Sequence, residues 1–152
     1  MESLSELIER RARDTAAKSL CLFGGSAISF ADLYARVTHV AGGLAALGVR
    51  PGDRVAVMLA NHPDYPVVFL ALAWLGVTQV PLNVHPRGLG LEYVLAHSVA
   101  RAIVADERFA PLRLGSGLLG SRALRLQDPA RQLGTAVEVK RLCPSQAGPA
   151  PP

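Results

Sequence analysis

Apolar residues in the first thirty positions recur at spacings typical of a short helix followed by a hairpin. Leu4, Leu7 and Ile8 lie at helical spacing, which predicts an amphipathic helix over residues 4–12. Two brief apolar runs follow, SLCLF and AISF, with Gly24 and Gly25 between them. Because glycine readily adopts the positive φ of a tight turn, these runs predict a β-hairpin.

A longer amphipathic helix is predicted after Ser29. The Ser29 hydroxyl can accept a hydrogen bond from the amide of Asp32, and an acid at this third position completes a capping box. Gly48 stands where a residue with positive φ ends a helix. The apolar face of this helix is expected to consist of Leu33, Val37, Val40, Ala41, Leu44 and Leu47.

The segment RVAVMLA follows the turn VRPGD, and its almost continuous apolar character suits a parallel strand covered on both faces. Asn61 or Asp64 is expected to cap the next helix, with Pro66 in its first turn. That helix, VVFLALAWLG, is apolar nearly all round and is therefore expected to be deeply buried. Gly76 ends it and leads directly to a strand, VTQVPL.

A third helix, LGLEYVLAHS, leads to a third strand, ARAIVAD. Alternating strands and helices with short connections predict right-handed βαβ crossovers. The expected fold class is therefore α/β, a parallel-sheet βαβ layer preceded by a helix and a hairpin. We expect residues 1–112 to carry this layer, 113–142 to be a weakly structured continuation, and the Pro- and Ala-rich residues 143–152 to be a disordered tail. The stretch after Asp106, residues 107–142, is expected to hold one helix and two weak strands.

Composition narrows the function classes. Hydrophobic residues make up 50% of the 152-residue chain and charged residues 18%, which indicates a folded body. The formal charge is +4, but the arginines are spread among acids, so we expect no nucleic-acid partner.

The most apolar run, residues 67–80, is too short for a membrane span. The charged start is unlike a secretory signal, and Cys21 and Cys143 lack metal-site spacing, so a reduced cytoplasmic location is expected.

A glycine-rich segment, GSGLLG, has the G-x-G-x-x-G spacing of a dinucleotide site through Gly115, Gly117 and Gly120. That fingerprint requires a strand running directly into it, and the last clear strand ends well before it at Asp106. The lysine of a phosphate-binding loop is missing as well. A surface loop is therefore favoured, and a small dinucleotide-binding protein remains a weaker alternative.

The histidines His39, His62, His85 and His97 lack the spacing of a zinc site. His85, just after the strand ending in Pro-Leu-Asn, has the least ordinary position, because ligands bind at the carboxyl edge of parallel sheets. No serine stands in a G-x-S-x-G segment, and no carboxylates pair at a strand end. The residues alone therefore predict no catalytic, cofactor-binding or metal-binding side chain.

The ordered run of motifs carries more information than any single residue. ISFADL resembles the first core motif of the AMP-forming adenylating enzymes, the family of acyl-CoA synthetases, aryl-CoA ligases, peptide-synthetase adenylation domains and luciferases. GVRPGDRVAVMLAN is similar to the next strand of that family and its approach. LAWLGVTQVPLN is similar to the second core motif, and LEYVLAHSVARAIVAD to the helix and strand that follow. The resemblance covers residues 4–112, and Pro-Leu-Asn favours the acyl-CoA synthetase branch.

This resemblance implies a two-step reaction. A carboxylic acid attacks the α-phosphate of Mg²⁺-ATP to give an acyl-adenylate, and CoA then displaces AMP. Within the family, Pro81 and Asn83 are expected to be structural, and the His85 loop is a weaker candidate for substrate contact.

The sequence departs from the family at its catalytic motifs. The phosphate loop, a Thr-Ser-Gly-Thr-Thr-Gly-x-Pro-Lys pattern, is replaced by RLCPSQAGPAPP. We therefore expect a truncated ligase-like protein, inactive alone, that binds ATP, Mg²⁺ or CoA at most weakly. Strand edges that await later segments are expected to make it poorly soluble. The alternatives are a non-catalytic binding or assembly module with the same partial fold, or a subunit of a split ligase with a complementing polypeptide.

Overall fold

The computed structural model describes residues 2–23, 25–59, 61, 64–83, 89–106, 121–122 and 137–141. The described residues divide into two units, those within 1–51 and 61–77, and those within 52–60 and 78–152. The first unit holds α1 (Leu4–Asp14), β1 (Ser19–Phe23), β2 (Ser26–Ser29), α2 (Phe30–Ala46) and α3 (Asp64–Trp74). The second holds β3 (Arg54–Met58), β4 (Thr78–Pro81), α4 (Leu89–Ser98), β5 (Ala102–Asp106), β6 (Ser121–Arg122) and β7 (Val137–Arg141).

Helix α1 begins with a capping box. The hydroxyl of Ser3 accepts from the amide of Glu6 at 3.2 Å, and the Glu6 carboxylate accepts from the amide of Ser3 at 2.7 Å. These bonds satisfy amides that lack a partner within the helix. The Ser3 amide and the Ser3 hydroxyl both donate to the ionised Glu6 carboxylate, and the amide contributes more. These hydrogen bonds hold the pKa of Glu6 below its ordinary value. The predicted helix is confirmed and extends to Asp14.

Strands β1 and β2 form the predicted antiparallel hairpin, with Gly25 at φ 79° in its turn. Cys21 pairs with Ile28, and Leu22 pairs with Ala27. Since successive side chains point to opposite faces, the two pairs lie on different sides of the hairpin. Ile28 is buried, whereas Leu22 is 76% exposed.

Helix α2 confirms the predicted start and end. Ser29 and Asp32 form the capping box, with the Asp32 amide donating to the Ser29 hydroxyl at 3.1 Å. The helix ends at Ala46, and Gly48 has the expected positive φ of 86°. The predicted apolar face is buried except at Leu47, which is half-buried. The buried residues are Leu33, Val37, Val40, Ala41 and Leu44.

Helix α3 packs against α1 and α2 within the first unit. One face is fully buried, with Val68, Ala71 and Leu72 inaccessible to solvent. The expected deep burial holds for this face, whereas Phe69 of the same helix is 45% exposed. Tyr34 of α2 and Trp74 of α3 meet edge to face at 5.9 Å between ring centroids.

Asp64, at the first position of α3, is buried and forms an ion pair with Arg36 of α2. The sequence indicates only that Asn61 or Asp64 caps this helix. In the structure, the Asp64 carboxylate accepts a hydrogen bond from Arg36, 28 residues earlier in the chain. This side-chain contact therefore joins α3 to α2. Pro66 lies in the first turn of α3, as predicted.

The strands of the second unit form a mixed sheet in the order β4-β3-β5-β7-β6. Strand β3 is parallel to β4 and to β5, which confirms the predicted parallel layer. Val57 lies opposite Pro81 on one side and Val104 on the other. Strand β7, from the predicted weakly structured continuation, runs antiparallel to β5, and β6 pairs with β7. The two strands expected after Asp106 are therefore present.

The remaining predictions about organisation concern residues that the structure does not describe. The helix expected between residues 107 and 142 and the tail at 143–152 lie outside the described residues, and the division at residues 112 and 142 stays a prediction. Among the helices of the described part, none combines the length and apolar character that crossing a membrane requires.

Candidate functional site

The order of the three parallel strands marks one edge of the sheet as a candidate site. Strand β3 comes first along the chain, yet it lies between β4 and β5. The chain therefore leaves β3 toward one side to reach β4 and returns past it to reach β5. In open α/β sheets, ligands bind outside the carboxyl ends of strands where the strand order reverses in this way. The candidate site is the carboxyl edge of β3 and β5.

The described residues near this edge are apolar. Met58 and Ala105, opposite one another at the ends of β3 and β5, are buried in a cluster with Leu91 and Leu95 of α4, and Leu82 packs against it. The helix pattern explains this contact, because residues four apart lie on one face of α4. These buried residues belong to the core between α4 and the sheet, and no residue near this edge whose side chain the structure describes is charged.

The Pro-Leu-Asn segment follows the β4 side of this edge. The amide of Leu82 donates to the carbonyl of Val57 at 2.8 Å, which fastens the end of β4 to β3. Leu82 is half-buried, while Pro81 and Asn83 are exposed. These positions are consistent with the structural role predicted for Pro81 and Asn83, which remains a prediction.

Charged groups gather at the opposite, amino edge of the same strands. Arg101, just before β5, donates to the Asp53 carboxylate at 3.1 Å, and Arg54 donates to the carbonyl of Ser98 at 3.3 Å. The Arg101 amide also donates to the carbonyl of Arg54 at 2.8 Å. Two of these contacts join the starts of β3 and β5, and the third joins the start of β3 to the end of α4, so this edge is held together by its own polar groups.

The residues singled out in the sequence divide between described and undescribed positions. His39 is exposed on α2, and His97 is exposed on α4, where it stacks on Tyr93 at 4.4 Å between ring centroids. Among the described residues, neither histidine belongs to a group of three or more side chains suited to hold a metal ion. Positions 62, 85, 115, 117, 120 and 143, which include the least ordinary histidine and the glycine-rich segment, lie outside the described residues.

Within the described ranges, no three His, Cys, Asp or Glu side chains gather as metal ligands would. The buried acid, Asp64, already pairs with Arg36. Sequence reasoning missed this pair because nothing in the local pattern links α2 to the start of α3.

Comparison with known proteins identifies the family. The sequence model of the AMP-binding enzyme family matches residues 8–147. Feruloyl-CoA synthase of Amycolatopsis sp. is 38% identical over 127 residues, covering 84% of this chain and 25% of the relative. A medium/long-chain-fatty-acid–CoA ligase of Mycobacterium tuberculosis is 30% identical over 142 residues, covering 88% of this chain and 23% of the relative. The chain thus spans about a quarter of the length of these curated relatives.

Solved structures show the same architecture. A double mutant of o-succinylbenzoate CoA synthetase from Bacillus subtilis superposes with a TM-score of 0.65 at 28% identity, covering 67% of this chain and 21% of that one. The N-terminal subdomain of Klebsiella oxytoca NpsA, in complex with anthranilyl-AMSN, reaches a TM-score of 0.68 at 19% identity, covering 74% and 29%. The second likeness establishes the fold alone. With the family match over most of its length, the chain belongs to the AMP-binding enzymes, the family that contains the acyl-CoA synthetases.

Proposed function

We propose that this chain forms the opening part of the large domain of an AMP-forming CoA ligase. The observation that carries the proposal is its 38% identity to feruloyl-CoA synthase across 84% of the chain. The parallel arrangement of β3 between β4 and β5 supports it, because the matched segment includes the strands that build the sheet. In this proposal, the chain provides a scaffold, whose apolar core lies between α4 and the sheet.

The complete reaction would join a carboxylic acid to CoA through an acyl-adenylate. An oxygen of the carboxylate attacks the α-phosphorus of ATP, and pyrophosphate leaves with the bridging oxygen. The CoA thiol, losing its proton, then attacks the acyl carbon and expels AMP. We propose an aromatic acid of the ferulate type as the first substrate to test, since the aryl-CoA relative is 38% identical and the fatty-acid relative 30%.

The chain's own residues do not carry the nucleotide chemistry in this proposal. Three observations on the described residues support this part of the proposal: the carboxyl edge of β3 and β5 is apolar, the buried Asp64 pairs with Arg36, and no three His, Cys, Asp or Glu side chains gather. The phosphate-loop pattern is absent from the 152 residues. We propose that residues 1–152 are inactive by themselves and that catalysis requires a polypeptide supplying the loop, a ribose-binding aspartate and a catalytic lysine.

A complementation assay tests this proposal. The chain is mixed with the part of feruloyl-CoA synthase that follows the matched region, and ferulate-dependent exchange between ATP and pyrophosphate is measured. Neither polypeptide alone should support exchange, whereas the mixture should. The same mixture with dodecanoate in place of ferulate tests the aromatic preference. Exchange by the chain alone would overturn the proposed inactivity.

If the mixture shows no exchange although the two polypeptides bind each other, the alternative of a non-catalytic assembly module is favoured.

A cytoplasmic location belongs to this proposal too, because ATP and CoA are abundant substrates there. Fractionation of cells that produce the chain, with a membrane marker and a cytoplasmic marker, would test it.

A further inference from the structure

Among the strands that the structure describes, β4 lies at one end of the sheet, and its hydrogen bonds fix which way each of its amides points. The amide of Thr78 donates to the carbonyl of Asp53 at 2.9 Å, and the amide of Leu82 donates to the carbonyl of Val57 at 2.8 Å. Both acceptors belong to the β3 segment. Because alternate residues of a strand direct their amides to opposite edges, the nitrogen of residue 81 faces away from β3.

Residue 81 is a proline, which carries no amide hydrogen. A strand end exposed to solvent presents unpaired amides and carbonyls on which another strand can add. Strand β4 has four residues, so only positions 79 and 81 direct their nitrogens to the outer edge. Residue 81 therefore lacks the donor that an added strand would use there, and it does so at an exposed position.

We propose that Pro81 closes the outer edge of β4 to strand addition, so that the sheet ends there and copies of the chain do not associate along this edge. The inference goes beyond the proposed function and holds independently of any ligase activity. It also explains why a proline follows a strand-forming valine at the end of β4: proline is tolerated in sheets at edge positions whose amide would face solvent.

The test compares Pro81→Val with Thr78→Val in the complete chain. Pro81→Val restores an outward amide, whereas Thr78→Val adds the same side chain at an exposed position of the same strand whose amide is already bonded to Asp53. We expect Pro81→Val to strengthen self-association about tenfold, since an associated pair of edges gains two amide–carbonyl bonds. Thr78→Val should match the parent. Sedimentation velocity over a range of concentrations measures this.

Two further variants keep the test decisive. Pro81→Lys restores the amide but places a charge on the edge, so its association should return to the parental level. Pro81→Ala restores the amide with a minimal side chain and should follow Pro81→Val, which covers the case in which valine disturbs folding. Thermal unfolding monitored by circular dichroism verifies that each variant folds. Parental self-association in both Pro81→Val and Pro81→Ala would overturn the proposal, as would equal association of Pro81→Val and Thr78→Val.

Discussion

The ion pair between Arg36 and Asp64 offers an asymmetric test of how the first unit is held together. The side chain of Asp64 is 6% exposed and that of Arg36 is 28% exposed. Replacing Arg36 with methionine removes the cation and leaves a carboxylate in a buried position. Replacing Asp64 with asparagine instead leaves a long cationic side chain that can extend its charged end into water. The first change should therefore cost more.

The magnitudes follow from these exposures. Breaking a buried pair by removing one partner typically costs about 3–5 kcal/mol, and the partial exposure of Arg36 places Arg36→Met near 3 kcal/mol. For Asp64→Asn we expect about 1–2 kcal/mol, the cost of a lost charge-assisted hydrogen bond. Arg101→Met is the control, because Arg101 is 69% exposed in its pair with Asp53. Its loss should cost less than about 1 kcal/mol.

Urea unfolding followed by circular dichroism measures the three free energies of unfolding, and the double variant of Arg36 and Asp64 gives the coupling energy. Equal unfolding slopes would show that the variants differ in stability and not in the surface exposed on unfolding. The reasoning is refuted if Arg36→Met destabilises no more than Arg101→Met, or if Asp64→Asn is the costlier of the two changes in the pair.

Two further predictions concern local backbone and helix-end chemistry. Gly42 and Gly52 both have open space at the missing Cβ, but only Gly52 has positive φ, 84°. In urea unfolding, Gly42→Ala in α2 should therefore stabilise by about 0.5–1 kcal/mol and Gly52→Ala should destabilise by about 1–2 kcal/mol. The pKa of Glu6 is lowered in the folded state, so its stabilisation is present above the unfolded pKa and is lost as pH falls through the folded pKa. The free energy of unfolding of Glu6→Gln, measured by urea unfolding over a range of acidic pH, should therefore fall less with decreasing pH than that of the parent chain. The same pH dependence in the variant and the parent would contradict the prediction.

Local signals in the sequence were sufficient for most elements. Ser29 with Asp32 marks the start of α2, and Gly48 and Gly76 mark the ends of α2 and α3 with the positive φ that their positions require. The continuous apolar run at β3 predicted a parallel strand, and the structure pairs it in parallel on both sides. Such features succeed because capping, turn geometry and periodicity act over a few residues.

Other features depend on contacts that no local pattern encodes. The order β4-β3-β5, which selects the candidate edge, follows from how the crossovers turn, and a run of apolar letters does not specify it. The pairing of Asp64 with Arg36 joins residues 28 positions apart. The sequence also does not predict the partial exposure of Phe69, because α3 is apolar on every side and its pattern does not show which side faces other elements.

The central claim is that this chain carries the opening part of a CoA-ligase fold, and a chimera tests it most directly. Residues 8–147, the segment matched by the family, replace the corresponding part of feruloyl-CoA synthase, and ferulate-dependent pyrophosphate release is measured. We expect a folded chimera whose rate lies within about 100-fold of the parent enzyme, since small misplacements of a scaffold cost up to about that factor. A folded chimera without detectable ferulate-dependent release would contradict the account.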